Sequence, residues 1–251
     1  MEKKLDISVI SPVFNELENL ETFVESVTAV MNSTNMSWEL IIVDDGSDDG
    51  SSKILKKIGH RENIRSILLS KNYGQTTAIQ AGFDNAVGEY FVTLDSDLQN
   101  DPKDIPTLIQ KLINEELDLV VGWRKDRKDN YFFRNLPSIL ANKLIGTITG
   151  VRLHDYGCSL KAYRAEVLKE VKLYGEMHRF IPAWMATKIP ASKISEIEVT
   201  HHPRIAGESK YGISRTFRVF VDLISVYFFM KFFSRPGHFF GLIGLLLSSF
   251  G

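Results

Sequence analysis

A doubly wound, mostly parallel α/β sheet is the fold this sequence predicts, on three observations. Short apolar runs alternate with segments of helical periodicity through the first half of the chain. The apolar runs lack in-out alternation, as expected of parallel strands covered on both faces. Each run also ends in a polar loop, so the loops gather at the carboxyl ends of the strands, where open α/β sheets bind their ligands. At 251 residues, 44% hydrophobic and 24% charged, the chain is long enough for one large α/β domain or two small ones.

The elements follow in order. Leu5 to Ile10 is the first apolar run, and Ser11-Pro12-Val13-Phe14-Asn15-Glu16 leaves it. Asn15 with Glu18 three residues later makes a capping-box-like start for a helix through Met31. Trp38 to Val43 is the second strand, followed by Asp44-Asp45-Gly46-Ser47-Asp48-Asp49-Gly50 and a helix to Ile58. Ile64 to Leu69 is the third, followed by Lys71-Asn72-Tyr73-Gly74-Gln75 and a helix to Ala86. Tyr90 to Leu94 and Leu117 to Gly122 complete five strands. The loops Pro12 to Glu16, Asp44 to Asp49, Lys71 to Gln75 and Asp95 to Gln99 are therefore expected to line one crevice.

The fourth strand runs straight into Asp95-Ser96-Asp97-Leu98-Gln99. Side chains at i and i+2 of an extended backbone leave the same face, so Asp95 and Asp97 converge on one point beyond the strand end. That point suits Mg2+ or Mn2+, which bind through one or two carboxylates together with substrate phosphates; aspartates at strand ends also serve turns and caps. Other ligand motifs are absent. The first strand is followed by Ser-Pro-Val-Phe-Asn-Glu and not by G-x-G-x-x-G, no P-loop occurs, and a calcium hand begun at Asp45 would need a bidentate Glu where Lys56 stands.

A net charge of −1 conceals a basic second half. From Trp123 to Arg152 seven basic residues face two acidic ones, and from His201 to Arg235 six face two. The single cysteine, Cys158, excludes an internal disulfide and reads as a small buried hydrophobe. With no secretory signal at the N-terminus, the chain reads as cytosol-facing. Between Ile213 and Phe233, Phe217, Phe220, Val221, Ile224, Tyr227, Phe228 and Phe232 recur at helical spacing beside Arg215, Arg218 and Lys231, the pattern of a helix lying in a membrane interface. Pro236 to Gly251 is apolar and uncharged, and reads as the start of a membrane-spanning helix of ~20 residues that continues past Gly251.

With Ser11 to Glu16, Val43-Asp44-Asp45-Gly46-Ser47, Asn72-Tyr73-Gly74-Gln75 and Asp95 to Gln99 in this order and spacing, the chain closely resembles the family-two glycosyltransferases of the GT-A fold over essentially its whole length. The resemblance implies Pro12, Glu16, Asp44, Asp45 and Gln75 around the base and ribose of a nucleotide-sugar donor, with Asp44 equally placed to cap the following helix. It implies Asp95 and Asp97 at the metal, Gln99 beside them, and a UDP-sugar in preference to a GDP-sugar. Asp155 to Arg164, His178-Arg179-Phe180-Ile181-Pro182 and Gly207-Glu208-Ser209-Lys210-Tyr211 look like the polyprenyl-phosphate glycosyltransferases, nearest to the undecaprenyl-phosphate formamido-arabinose transferases. These move a sugar onto a lipid phosphate at the cytoplasmic face of the inner membrane. By this resemblance Asp155 is the catalytic base and works with Asp97.

A lipid phosphate needs cations near the membrane surface. Arg124 and Arg127, after the fifth strand, are candidates for the donor diphosphate and the lipid phosphate; Arg204 and Lys210, flanking Gly207-Glu208-Ser209, are candidates for the lipid phosphate. The expected organisation is a catalytic domain over 1–210, an interface helix over 211–235 and a membrane helix beginning over 236–251. No nucleic-acid partner is expected, and homo-oligomerisation is left open. Two rivals differ at stated residues. A processive or protein-linked polysaccharide synthase of the same fold would carry Q-x-x-R-W, which is absent, and a scaffold that only binds nucleotide sugars would lack an acid at Asp95, Asp97 or Asp155.

Overall fold

The computed structural model describes residues 5–125, 142, 145–147, 149–173, 175–203, 224–225, 227–228, 231–232 and 235–250. Arg127, Arg204, Lys210 and most of the expected interface helix lie outside the described residues. Among the described residues one seven-stranded sheet runs β1 (Leu5–Val13), β2 (Trp38–Asp44), β3 (Ile64–Leu68), β4 (Gly88–Thr93), β5 (Leu119–Trp123), β6 (Lys161–Arg164) and β7 (Ile194–Glu198), in the spatial order β3-β2-β1-β4-β6-β5-β7. Strands β3, β2, β1 and β4 pair in parallel, as do β5 and β7; β6 is antiparallel to both its neighbours.

Both faces of the sheet are buried, which is why the strands read as unbroken apolar runs. On one face Ile10, Ile41, Phe91, Val121 and Tyr163 pack with Ile79 and Phe83 of α3 (Gln75–Asn85) and with Phe180, Ile181 and Met185. On the other face Val9, Leu40, Ile42, Val92 and Val120 pack with α1 (Leu17–Asn32), α2 (Ser51–Ile58) and α4 (Ile105–Asn114), through residues such as Phe23, Val27, Leu55 and Leu108.

Two features differ from the sequence expectation. The capping box at Asn15 does not form: α1 begins at Leu17 with Glu16 at its N-cap and no side-chain cap bond. Asn15 instead takes a left-handed conformation (φ 54°) and exchanges hydrogen bonds with Asp48 at 2.8 and 3.0 Å. The sheet also has two further strands. Strand β6 threads between β4 and β5, with Lys161 opposite both Thr93 and Val121. At four residues it is too short to carry a readable period, yet its insertion delivers the Asp155–Ser159 loop to the end of β4. Gly122 permits that threading, because a Cβ there would stand 2.9 Å from the Leu160 carbonyl oxygen.

At the C-terminus a 15-residue helix spans Pro236–Phe250, with Phe240, Leu245 and Leu247 exposed. Phe239 stacks edge-on against Phe228, with centroids 5.1 Å apart. Among the described residues no helix is long and apolar enough to cross a membrane.

Candidate active site

The four loops that follow β1 to β4 are stitched into a ring. The first holds the second through Asn15 and Asp48, and through the Asn15 amide donating to Ser47 Oγ at 2.9 Å. The second holds the third through Asp45, whose two carboxylate oxygens accept from the Tyr73 and Gly74 amides, each at 2.8 Å. The third holds the fourth through Gln75, whose Nε2 donates to Asp95 Oδ1 at 2.9 Å. Ser96 Oγ closes the ring by donating to the Pro12 carbonyl at 3.4 Å. Gly46 is the residue this closure demands. Its φ is +72°, and a Cβ would lie 2.3 Å from the Lys71 carbonyl carbon.

This ring places the donor candidates. Pro12, expected in a loop, lies near the end of β1, Glu16 is the N-cap of α1 and Gln75 opens α3; all three are half-buried, and Glu16 Oε2 accepts from Asn19 Nδ2 at 2.8 Å. Asp45 is buried; loss of hydration raises its pKa, while the two amides it accepts from pull the other way. Each of its oxygens keeps a second lone pair for an N–H or hydroxyl donor. Asp44 is fully buried, and its oxygens accept from the Ser47 amide and hydroxyl and from the Ser52 hydroxyl. These contacts close the turn at Ser47 and tie it to α2 through the Ser52 hydroxyl, but they do not cap the helix, whose N-cap is Gly50 with no side-chain cap bond.

Asp95 and Asp97 stand at the floor of the ring. Burial and then the neighbouring Asp97 carboxylate push the Asp95 pKa up to about 6, against the opposing pull of the Ser159 hydroxyl and of Lys161 and Arg124. Asp97 Oδ1 also accepts from the Gln99 amide at 3.2 Å, and Leu98 between those two residues is held at φ 61°, a strained conformation at the turn. Two carboxylates that repel one another invite a hard dication. Among the described residues no group of three or more His, Cys, Asp or Glu could hold a metal on its own. A bare carboxylate pair fits Mg2+ or Mn2+, which retain waters and take substrate phosphates as further ligands; it does not fit a closed Zn2+ site.

Opposite the pair lies a second constellation, formed by the end of β5 and the loop before β6. Arg124 and Asp155 form a bidentate ion pair, Nε to Oδ2 at 2.7 Å and Nη2 to Oδ1 at 3.1 Å, with both side chains 13% exposed. Burial alone would lower the Arg124 pKa, and the Asp155 carboxylate outweighs it, so the guanidinium stays charged. The same Asp155 oxygen Oδ1 accepts from the Gly157 amide at 3.1 Å, a turn cap coexisting with the ion pair. The next rung outward is a stack of Trp123 on His154, centroids 4.3 Å apart.

Beneath both constellations lies Lys161, buried at 2% exposure, its Nζ donating to the Cys158 carbonyl. Cys158 is fully buried, and loss of hydration pushes its thiol up to about 11, so it is no nucleophile. Sequence reading missed three neighbours: Ser159, in the loop before β6, Lys161, on a strand too short to be seen, and His201, which forms a β-bridge with Asn100 while the His202 amide donates to the Gln99 carbonyl at 2.7 Å. Ser159 and Lys161 fall within the Asp155 to Arg164 motif, but nothing local assigns them or His201 to the crevice; long-range pairing brings them there.

The order of loops, the carboxylate pair and the sheet topology agree with one known family. Its sequence profile, Glycosyl transferase family 2, matches residues 8–172. The chain belongs to glycosyl transferase family 2. This family 2 glycosyltransferase is 57% identical over 249 residues to the dodecaprenyl-phosphate galacturonate synthase of Rhizobium johnstonii, covering 98% of this chain and 74% of that protein. It is 38% identical over 221 residues to the undecaprenyl-phosphate 4-deoxy-4-formamido-L-arabinose transferase of Aeromonas hydrophila, covering 87% of this chain and 67% of that protein. Its GT-A-like fold is shared with glucosyl-3-phosphoglycerate synthase of Mycobacterium tuberculosis, solved with Mn2+, UDP-glucose and phosphoglyceric acid. There the TM-score is 0.68 at 18% identity, over 90% of this chain and 79% of the other.

Proposed function

We propose that this glycosyltransferase moves a uronic-acid sugar, galacturonate in the first instance, from a UDP-sugar to a polyprenyl phosphate at the cytoplasmic face of the inner membrane, with inversion at the anomeric carbon. One observation carries the reaction class: the Asp95–Asp97 pair is ringed by the nucleotide-side loops on one flank and faced by the Arg124–Asp155 pair on the other. The choice of sugar rests on the identity of 57% to the galacturonate synthase against 38% to the formamido-arabinose transferase.

Asp95 and Asp97 would hold Mg2+ or Mn2+, whose charge stabilises the departing diphosphate. Glu16, Asp45 and Gln75 frame the base and ribose, Asp45 through the lone pairs its loop contacts leave over. Arg124 offers a guanidinium for the leaving diphosphate. The acceptor asks little of a base, since a phosphate monoester with a second pKa near ~6 is already mostly dianionic at neutral pH. Asp155, which can only accept, therefore serves chiefly to hold and orient Arg124. Arg127, Arg204 and Lys210 are proposed for the lipid phosphate, and the exposed apolar face of Pro236–Phe250 supports attachment at the membrane.

The test is transfer by membranes from cells expressing the protein, given polyprenyl phosphate and, in parallel, UDP-galacturonate, UDP-formamido-arabinose and UDP-glucose, with the lipid extract analysed by mass spectrometry. The expected product is polyprenyl-phosphate galacturonate, lost in excess EDTA. Equal or better transfer from UDP-formamido-arabinose would overturn the sugar assignment, and no lipid-linked product from any donor would overturn the reaction.

A further inference from the structure

The segment His178-Arg179-Phe180-Ile181-Pro182 has no part in the reaction as derived above, yet it is docked on the element that serves the metal carboxylates. Met177–Phe180 forms a 3-10 turn that runs into a short helix, Ile181–Met185. Met177, Phe180 and Ile181 are buried in the same core as Ala78, Ile79 and Phe83 of α3. One of the two polar residues of that turn, His178, is aimed at the first turn of α3. His178 Nδ1 stands 2.7 Å from Thr76 Oγ1, across 102 residues of sequence, and Thr76 is itself buried at 2% exposure.

The tautomer follows from the ring's other side. Arg179 Nε is 3.3 Å from His178 Nε2, and an arginine N–H can only donate, so Nε2 accepts and the ring proton sits on Nδ1. His178 thus donates to Thr76. Burial, then the Arg179 and Lys161 cations, push its pKa down to about 3, so this polarity holds throughout the neutral range. Thr76 follows Gln75 directly, and Gln75 Nε2 donates to Asp95 Oδ1 at 2.9 Å. Helix α3 has glycine at its N-cap and no side-chain cap bond. Its first turn therefore lacks the usual local fixation, and the His178 contact supplies one from a distant segment.

We propose that His178 is a positioning residue for Asp95: by donating Nδ1–H to Thr76 it fixes the first turn of α3, and with it the Gln75 amide that aims the Asp95 carboxylate. The proposal rests on the reading that Asp95 and Asp97 hold a divalent cation. Metal-ligating carboxylates depend on such outer partners, whose loss typically costs about 10- to 100-fold in metal affinity.

The experiment measures Mn2+ binding in the presence of UDP from the loss of the free-ion EPR signal, with turnover titrated against Mn2+ alongside. H178L and T76V should each raise the Mn2+ dissociation constant about tenfold, the low end expected of a partner acting through a second residue. The double variant should be no worse than either single one. H178N, whose amide N–H can take the place of Nδ1–H, should stay close to wild type. The KM for polyprenyl phosphate should be unmoved in all of them. A merely structural role would lower the melting temperature and leave the Mn2+ isotherm where it was. Isotherms for H178L and T76V that superimpose on wild type, or an H178N variant as weak as H178L, would overturn the proposal. Should H178L not fold, T76V and H178N decide it alone. Wild-type protein that binds no Mn2+ overturns the metal reading itself, and the proposal with it.

Discussion

The Arg124–Asp155 pair can be broken from either side, and the two breaks must not add. Asp155→Asn leaves a buried guanidinium facing a neutral amide, and Arg124→Gln leaves a buried carboxylate facing one; the pair is bidentate at 2.7 and 3.1 Å with each side chain 13% exposed. Removing one partner of a buried ion pair costs about 3–5 kcal/mol, most of it the uncompensated charge that remains. Residual exposure places this pair at the lower end, about 3 kcal/mol, which for a chain of this size is a fall in melting temperature of roughly 6–12 °C. The double variant removes both charges, so its loss should fall short of the sum of the single losses by about 2 kcal/mol. The assay is thermal unfolding of the four proteins in detergent. Additivity to within about 0.5 kcal/mol would refute the claim that the pair is buried and coupled. Repeating the cycle with UDP and Mn2+ tests the function as well. Arg124 spends two of its five N–H donors on Asp155 and keeps three for a diphosphate; the diphosphate charge then competes with Asp155 for the guanidinium, so the coupling should shrink, and unchanged coupling would assign Arg124 to Asp155 alone.

Three further outcomes are expected. Gly46→Ala should destabilise the protein by about 3 kcal/mol or more in urea unfolding, because a left-handed residue acquires a Cβ 2.3 Å from the Lys71 carbonyl carbon. Asp45→Asn places an NH2 against one of two amide donors, Tyr73 or Gly74; the loop should loosen and the KM for UDP-sugar rise about tenfold, the cost of one lost charge-assisted bond, with kcat changed less. Asp95 has its folded pKa raised from 3.8 to about 6 in the metal-free protein. Its stabilising contribution is therefore full below the unfolded value and lost as pH rises through the folded one, so urea midpoints in EDTA should fall between those two values. Mn2+ affinity should weaken below the folded pKa as protons compete, and Asp95→Asn should flatten the stability trend.

The crevice was legible because its information is local. Each of β1 to β4 ends in a loop whose residue types declare the turn, and parallel winding sends all four loops to one side. What remained hidden was the insertion of β6 between β4 and β5. Its four residues, Lys161–Arg164, stand out only as the end of the Asp155 to Arg164 motif, and an antiparallel strand in a parallel sheet has no signature in hydrophobic period. Strand β7 was missed for a related reason: in Ile194–Glu198 two polar residues separate Ile194 from Ile197, so the segment shows neither the in-out alternation of a strand nor the continuous apolar run of the sheet centre.

The same distinction decides which site residues could be read. Asp95 and Asp97 are two apart, so a strand's geometry alone predicts that they meet. Arg124 and Asp155 are separated by 31 residues, and the distance is closed by β6, whose pairing with β5 sets Val121 opposite Lys161 and so fixes how the preceding loop returns. Without that strand, Arg124 is one cation in a basic stretch, indistinguishable from Lys125, which spends its charge on Glu198 at the surface. The contact between His178 and Thr76 is harder still to foresee. The sequence marks His178 to Pro182 only by family resemblance, and a helix whose N-cap is glycine gives no sign of which distant side chain will take the cap's place. Local spacing can thus identify the carboxylates that receive a cation, whereas the residues that aim those carboxylates are set by which strand lies between which.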